Sequence, residues 1–96
     1  MKQVFRRASA KQTDTVDVRY FQIQTMISTL QSRCKQGLPC DLLLDSILRI
    51  LESLPLSTDE YGRAICHLSN CERYLKLNER GAAVYELRLL AAGMSG

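Results

Sequence analysis

The run VDVRYFQIQTMISTLQSRC, residues 16–34, places Val16, Tyr20, Ile23, Ile27, Leu30 and Cys34 at alternating steps of four and three. Side chains three and four positions apart stack on one face of an α-helix. A mean repeat of about 3.5 residues also lets two helices lie nearly parallel and interdigitate. The stretch therefore reads as a helix with a packing seam. Phe21 and Met26 lie off that seam and widen the apolar face, as a helix with more than one neighbour requires.

On either side of this run the chain supplies ends for the helix. Thr13 or Thr15 is the expected N-cap, with Asp14 and Asp17 placing negative charge where the helix dipole favours it. Arg33 and Lys35 sit in the last turn, and Gly37 followed by Pro39 supplies the stop. Residues 1–12 lack periodicity and carry Lys2, Arg6, Arg7 and Lys11 without an acid, so they read as a flexible basic arm.

Three further helices follow from the apolar pattern. One begins near Pro39 to Asp41 and ends before Pro55, with Leu43, Ile47, Ile50, Leu51 and Leu54 on one face and Leu42, Leu44 and Leu48 extending it. Its polar stripe is confined to Asp45, Arg49 and Glu52, so this is the expected central helix. The next opens on Leu56-Ser57-Thr58-Asp59-Glu60, a capping box in which Ser57 caps and Glu60 reaches back. Its seam runs from Tyr61 through Ile65, Leu68 and Cys71 or its neighbour to Leu75. Continuing past Leu77 would bring Glu79 and Glu86 onto that seam, so the helix is expected to break at Asn78, which would cap a fourth. From Ala82 to Met94 only Glu86, Arg88 and Gly93 are not apolar, which marks either a last core helix or a partner surface.

The stretch Tyr74-Leu75-Lys76-Leu77-Asn78, with Ala83 nine residues after Tyr74, resembles the turn region of a tetratricopeptide-type helical hairpin. Asn78 stands where that family has a glycine, and His67, Asn70 and Cys71 stand where it favours bulky apolar and small residues. No second copy appears at a 34-residue period, so the resemblance implies a helical hairpin and covers less than half of the chain.

Composition sets the class. The chain has 96 residues, 46% hydrophobic and 24% charged, with a net charge of +3, which is the profile of one soluble globular domain. No apolar run approaches the roughly 18 residues of a spanning segment. No apolar stretch follows the N-terminal basic residues as in an export signal, so the expectation is a cytoplasmic protein with no membrane partner. Its four cysteines then read as reduced and packed as small apolar side chains.

The candidates for binding a metal or acting as a nucleophile are Cys34, Cys40, Cys66, Cys71 and His67. Cys66 and Cys71 are five apart, so an intact helix points them about 140° from each other, away from any common ion. His67 and Cys71 are four apart, yet two ligands make no structural metal site and no third residue orients a nucleophile. The reading has no catalytic residue, no metal and no cofactor.

The expected fold is all-α, a small four-helix bundle or stacked antiparallel hairpins over residues 13–96, with the flexible basic arm before it. The expected function is a non-catalytic protein-protein interaction module: a small adaptor, regulator or assembly factor binding another protein or a second copy of itself. Phe21, Met26, Val84, Tyr85 and Leu89 are its candidate interaction residues. The alternative is a nucleic-acid-associated regulator, dimeric in its simplest form. It would use Lys2, Arg6, Arg7 and Lys11 with a stripe of Arg73, Lys76 and Arg80.

Overall fold

A computed structural model describes the backbone of residues 2–94 and the side-chain surroundings of residues 18–94. Four helices follow one another: α1 (Lys2–Gln36), α2 (Asp41–Ser53), α3 (Thr58–Lys76) and α4 (Arg80–Gly93). The described residues hold no strand.

The helices form a closed up-down-up-down ring. α3 packs most extensively on α4, α4 and α2 each pack on α1, and α2 packs on α3. Their directions follow from the contacts. Arg19 of α1 donates to the Ser53 carbonyl at the end of α2, while Cys34 meets Cys40 at its start. Gln24 of α1 donates to the Ala91 carbonyl near the end of α4, while Arg80 at its start lies against Gly37.

The α1 seam is the centre of the core. Ile23, Ile27, Leu30 and Cys34 are buried, together with Leu44, Ile47 and Leu51 of α2, Ala64, Leu68 and Cys71 of α3, and Ala83, Leu87 and Leu90 of α4. Tyr20 packs against the edge of this cluster. α4, not α2, makes the most extensive contacts of the three shorter helices. Ala83 is fully buried, a size that suits close packing of α4, whereas the all-round leucines of α2 exceed its buried face and leave Leu42 in solvent.

Two helices end in the same way. At the end of α1 the Leu38 amide donates to the Arg33 carbonyl and the Gly37 amide to that of Cys34, with Gly37 at φ +72°. At the end of α3 the Glu79 amide donates to Tyr74 and the Asn78 amide to Leu75, with Asn78 at φ +60°. Both are Schellman closures, which need a residue in the left-handed region; glycine takes it freely and asparagine is among the few others that do. Asn78 thus terminates α3 and does not cap α4, whose N-cap is Glu79, without a side-chain cap bond. The antiparallel α3–α4 hairpin expected from the tetratricopeptide resemblance is present, with Asn78 in the role of the turn glycine.

The capping box of α3 is formed in both directions, from the Glu60 amide to Ser57 Oγ (3.1 Å) and from the Ser57 amide to Glu60 Oε1 (2.9 Å). The start of α1 differs from expectation. Its backbone is helical from Lys2, so Thr13 and Thr15 lie inside the helix and residues 2–12 continue it. No glycine or proline interrupts residues 2–36, and lysine, glutamine, arginine and alanine before Thr13 are good helix formers. At 35 residues α1 is about 52 Å long. α2 and α4, of 13 and 14 residues, span only its C-terminal part.

Ile27→Ala should lower the free energy of urea unfolding by about 2–5 kcal/mol, whereas Leu42→Ala should change it by less than about 0.5 kcal/mol. Gly37→Ala should cost about 1–2 kcal/mol through the left-handed backbone alone. The added methyl also meets the Arg80 guanidinium, the far end of a flexible side chain that can swing aside, so the measured loss should stay within that range. Asn78→Gly should cost nothing in the same measurement.

Candidate interaction surface

The face of α1 opposite its core seam is unusual in composition. Its exposed positions from Val18 to Ser32 are Val18, Phe21, Gln22, Thr25, Ser28, Thr29 and Ser32, and no residue between Arg19 and Arg33 is charged. A solvated helix face ordinarily carries charges, and an uncharged one with an exposed aromatic ring suits contact with another apolar surface. Phe21 is 72% exposed.

α2 runs antiparallel beside this face, and the α1–α2 groove consists of two depressions along their seam. Phe21, Gln22, Thr25 and Met26 face Ile50 at one end, and Thr29 and Arg33 face Pro39, Leu42 and Leu43 at the other. Leu42 stands in the first turn of α2, off the buried line of Leu44, Ile47 and Leu51, and is 83% exposed. Arg33 is held in place because its Nε donates to the Pro39 carbonyl at 2.8 Å. The groove is apolar along its floor, with Arg33 and Asp41 the charged residues at its end.

Of the residues expected to form the interaction site, Phe21 and Met26 lie together here, Met26 half-buried between α1 and α2. Val84 does not belong to a surface: it is buried in the core, one position from the exposed Tyr85. Tyr85 and Leu89 are exposed and four apart on α4, and Leu89 borders a depression between α3 and α4 with Arg63 and His67. In the ring of helices that depression is on the side opposite the α1–α2 groove. The five residues therefore divide into two surfaces and one core position.

The basic residues proposed for nucleic acid do not assemble into one helical stripe. Arg73 and Lys76 are on α3, but the turn at 77–79 separates them from Arg80, which opens α4. Arg80 lies over the bare face of Gly37 at the C-terminus of α1, where the helix dipole favours a cation. Arg73 lies over the Tyr74 ring at 5.7 Å and donates to Asn70. The side chains of Lys2, Arg6, Arg7 and Lys11 lie outside the described residues.

Two polar constellations inside the bundle were not foreseen as such. Glu86, only 9% exposed, accepts hydrogen bonds through Oε1 from Asn70 Nδ2 and His67 Nδ1, each at 3.0 Å. His67 thus serves Glu86 and is not set up as a base for Cys71. The available signal was Glu86 itself, the one acid in the apolar run of α4, but spacing within α4 does not name its partners on α3. At one end of the bundle, Cys34, Cys40 and Cys71 converge in the core while Cys66 is exposed. Burial pushes the Cys34 thiol up to about 12 and the Cys71 thiol up to about 11, so both are protonated at neutral pH. Among the described residues no three of His, Cys, Asp and Glu are placed to hold a metal ion, and no helix is long and apolar enough to cross a membrane.

The chain matches no family model, no curated protein and no solved structure.

The hydrogen bonds from His67 and then Asn70 hold the Glu86 carboxyl below the ordinary 4.5. A carboxyl depressed on folding adds stability that is complete above its unfolded pKa and is lost as pH falls through the folded value. The thermal midpoint should therefore drop as pH falls below about 4.5, and Glu86→Gln should have a shallower acid limb in a pH series of melts. Superimposable acid limbs would show that the Glu86 bonds do not contribute to acid stability.

Proposed function

We propose that this chain is a non-catalytic interaction module, an adaptor, regulator or assembly factor, whose α1–α2 groove receives an amphipathic helix of another protein. The observation that carries this is the pairing of an uncharged α1 face with two large apolar side chains left in water, Phe21 and Leu42. Fully burying one such side chain is worth about 1.5–3 kcal/mol. A third helix laid between two antiparallel ones covers both, with anchors at the three and four spacing of helix-in-groove recognition.

The groove also suits such a partner in its polar features. Thr25 and Thr29 are small and uncharged, so a helix can approach closely without stripping water from an ion. Arg33 and Asp41 at one end supply charges of both signs, which can set the direction of a bound helix.

Site-specific photo-crosslinking in cells tests the assignment. A crosslinker at Thr25, in the groove, should give a discrete adduct, and one at Ser69, exposed on α3, should not. Leu42→Asp should reduce the Thr25 adduct at least tenfold while circular dichroism stays unchanged. Equal adducts from both positions, or none from Thr25, would reject the groove as the site. An adduct of twice the chain mass would identify the occupant as a second copy.

A further inference from the structure

The three buried thiols lie where the end of α1, the start of α2 and the last turns of α3 meet. Cys34 Sγ is 3.8 Å from Cys40 Sγ, and Cys71 lies in the same buried cluster. Cys34 belongs to the last turn of α1 and Cys40 is the N-cap of α2, with Gly37 and Pro39 between them. N-cap positions favour Ser, Thr, Asp or Asn, whose oxygen receives a first-turn amide. Cys40 makes no such bond. Its sulfur is turned away from the helix, toward the Leu38 carbonyl at 3.2 Å and Cys34.

Cys34 and Cys40 also line a cavity that opens to solvent between the α1–α2 loop and the α3–α4 turn, with Lys76 and Arg80 at its rim. Cys71, fully buried, is not among its lining residues. A small solute in this cavity meets Cys40, the less buried of the pair, with Cys34 directly behind it and Cys71 outside the lining.

We propose that Cys34 and Cys40 are a reversible dithiol, converted to an intramolecular disulfide by a peroxide. Cys40, the more exposed of the two, attacks one peroxide oxygen; the O–O bond breaks, and the thiol proton leaves with the departing oxygen as water. The Cys34 thiol, protonated at neutral pH, gives its proton to the departing hydroxide as its sulfur attacks the Cys40 sulfenic acid; the S–O bond breaks, a second water leaves, and the step quickens as pH rises. Two thiols and one hydrogen peroxide become one disulfide and two waters. The sulfurs close from 3.8 Å to about 2.05 Å, a movement within reach of side-chain rotation beside the Gly37-Leu38-Pro39 loop. The bond ties the first turn of α2, which carries Leu42, to the end of α1.

Cys66→Ser protein, lacking the exposed thiol, is to be treated with hydrogen peroxide and analysed unreduced by intact mass and tryptic mapping. The expected result is loss of the mass of two hydrogens, reversed by dithiothreitol. Trypsin cleaves after Arg33, Lys35 and Arg49, so the product should be the Cys34-Lys35 dipeptide joined to residues 36–49. Cys34→Ser or Cys40→Ser should abolish the loss and Cys71→Ser should retain it. The map of the Cys66→Ser protein decides even if a core variant fails to fold. Gain of oxygen without a disulfide, a link to the peptide holding Cys71, or no change would each overturn the proposal.

Discussion

The burial of one seam of α1 is the interaction on which the rest of the bundle depends. Ile23, Ile27, Leu30 and Cys34 are removed from water at consecutive steps of four, three and four, and α2 and α4 both pack on the helix that carries them. Ile23, Ile27 and Leu30 each contribute about 1.5–3 kcal/mol on burial. α2 and α4, at 13 and 14 residues, are near the length below which a helix is marginal in water on its own. They are held by the long helix against which they lie, and α3 closes the ring through α4. With one face of α1 committed to the core, its opposite face becomes the surface presented to solvent, and that face is the uncharged one.

Two places interrupt the apolar interior, and each has a local physical account. Glu86 faces α3 from the middle of α4, where a carboxylate without partners would cost several kcal/mol. His67 and Asn70 supply those partners, and among the described residues no buried side-chain nitrogen or oxygen lacks a hydrogen bond. Because His67 and Asn70 are on one helix and Glu86 on the other, the bonds also favour one register of α3 on α4. At the bundle end, Cys34, Cys40 and Cys71 fill space as small apolar groups and pack sulfur against sulfur.

Much of the architecture was legible from neighbours in the chain. The α1 seam, the bounds of α2, the capping box at Ser57 and Glu60, and the stop at Gly37 all depend on residues within about one helical turn of each other. The start of α1 was misplaced because Thr13 and Thr15 can cap a helix but need not; good helix formers upstream carry the backbone through them. Asn78 was given to the wrong helix because asparagine suits both an N-cap and the left-handed residue of a Schellman closure. Only the α3 carbonyls that accept from Asn78 and Glu79 decide between them. Val84 and Tyr85 were grouped as surface because adjacent apolar residues point about 100° apart and the pattern alone does not say which faces in.

By itself the amino-acid sequence determined that this is a four-helix protein and which residues cap and close the helices, because those features are settled by hydrogen bonds and propensities of short range. It also named most of the core seam of α1, since a three-and-four repeat has only one helical face to occupy. What only the tertiary structure decided was how each helix is rotated about its own axis. That rotation buries Val84 and exposes Tyr85, sets Phe21 and Leu42 at the two ends of the α1–α2 groove, brings Glu86 to His67, and gathers Cys34, Cys40 and Cys71 into one cluster. These are contacts between residues far apart in the chain, and they are set by the packing of all four helices at once.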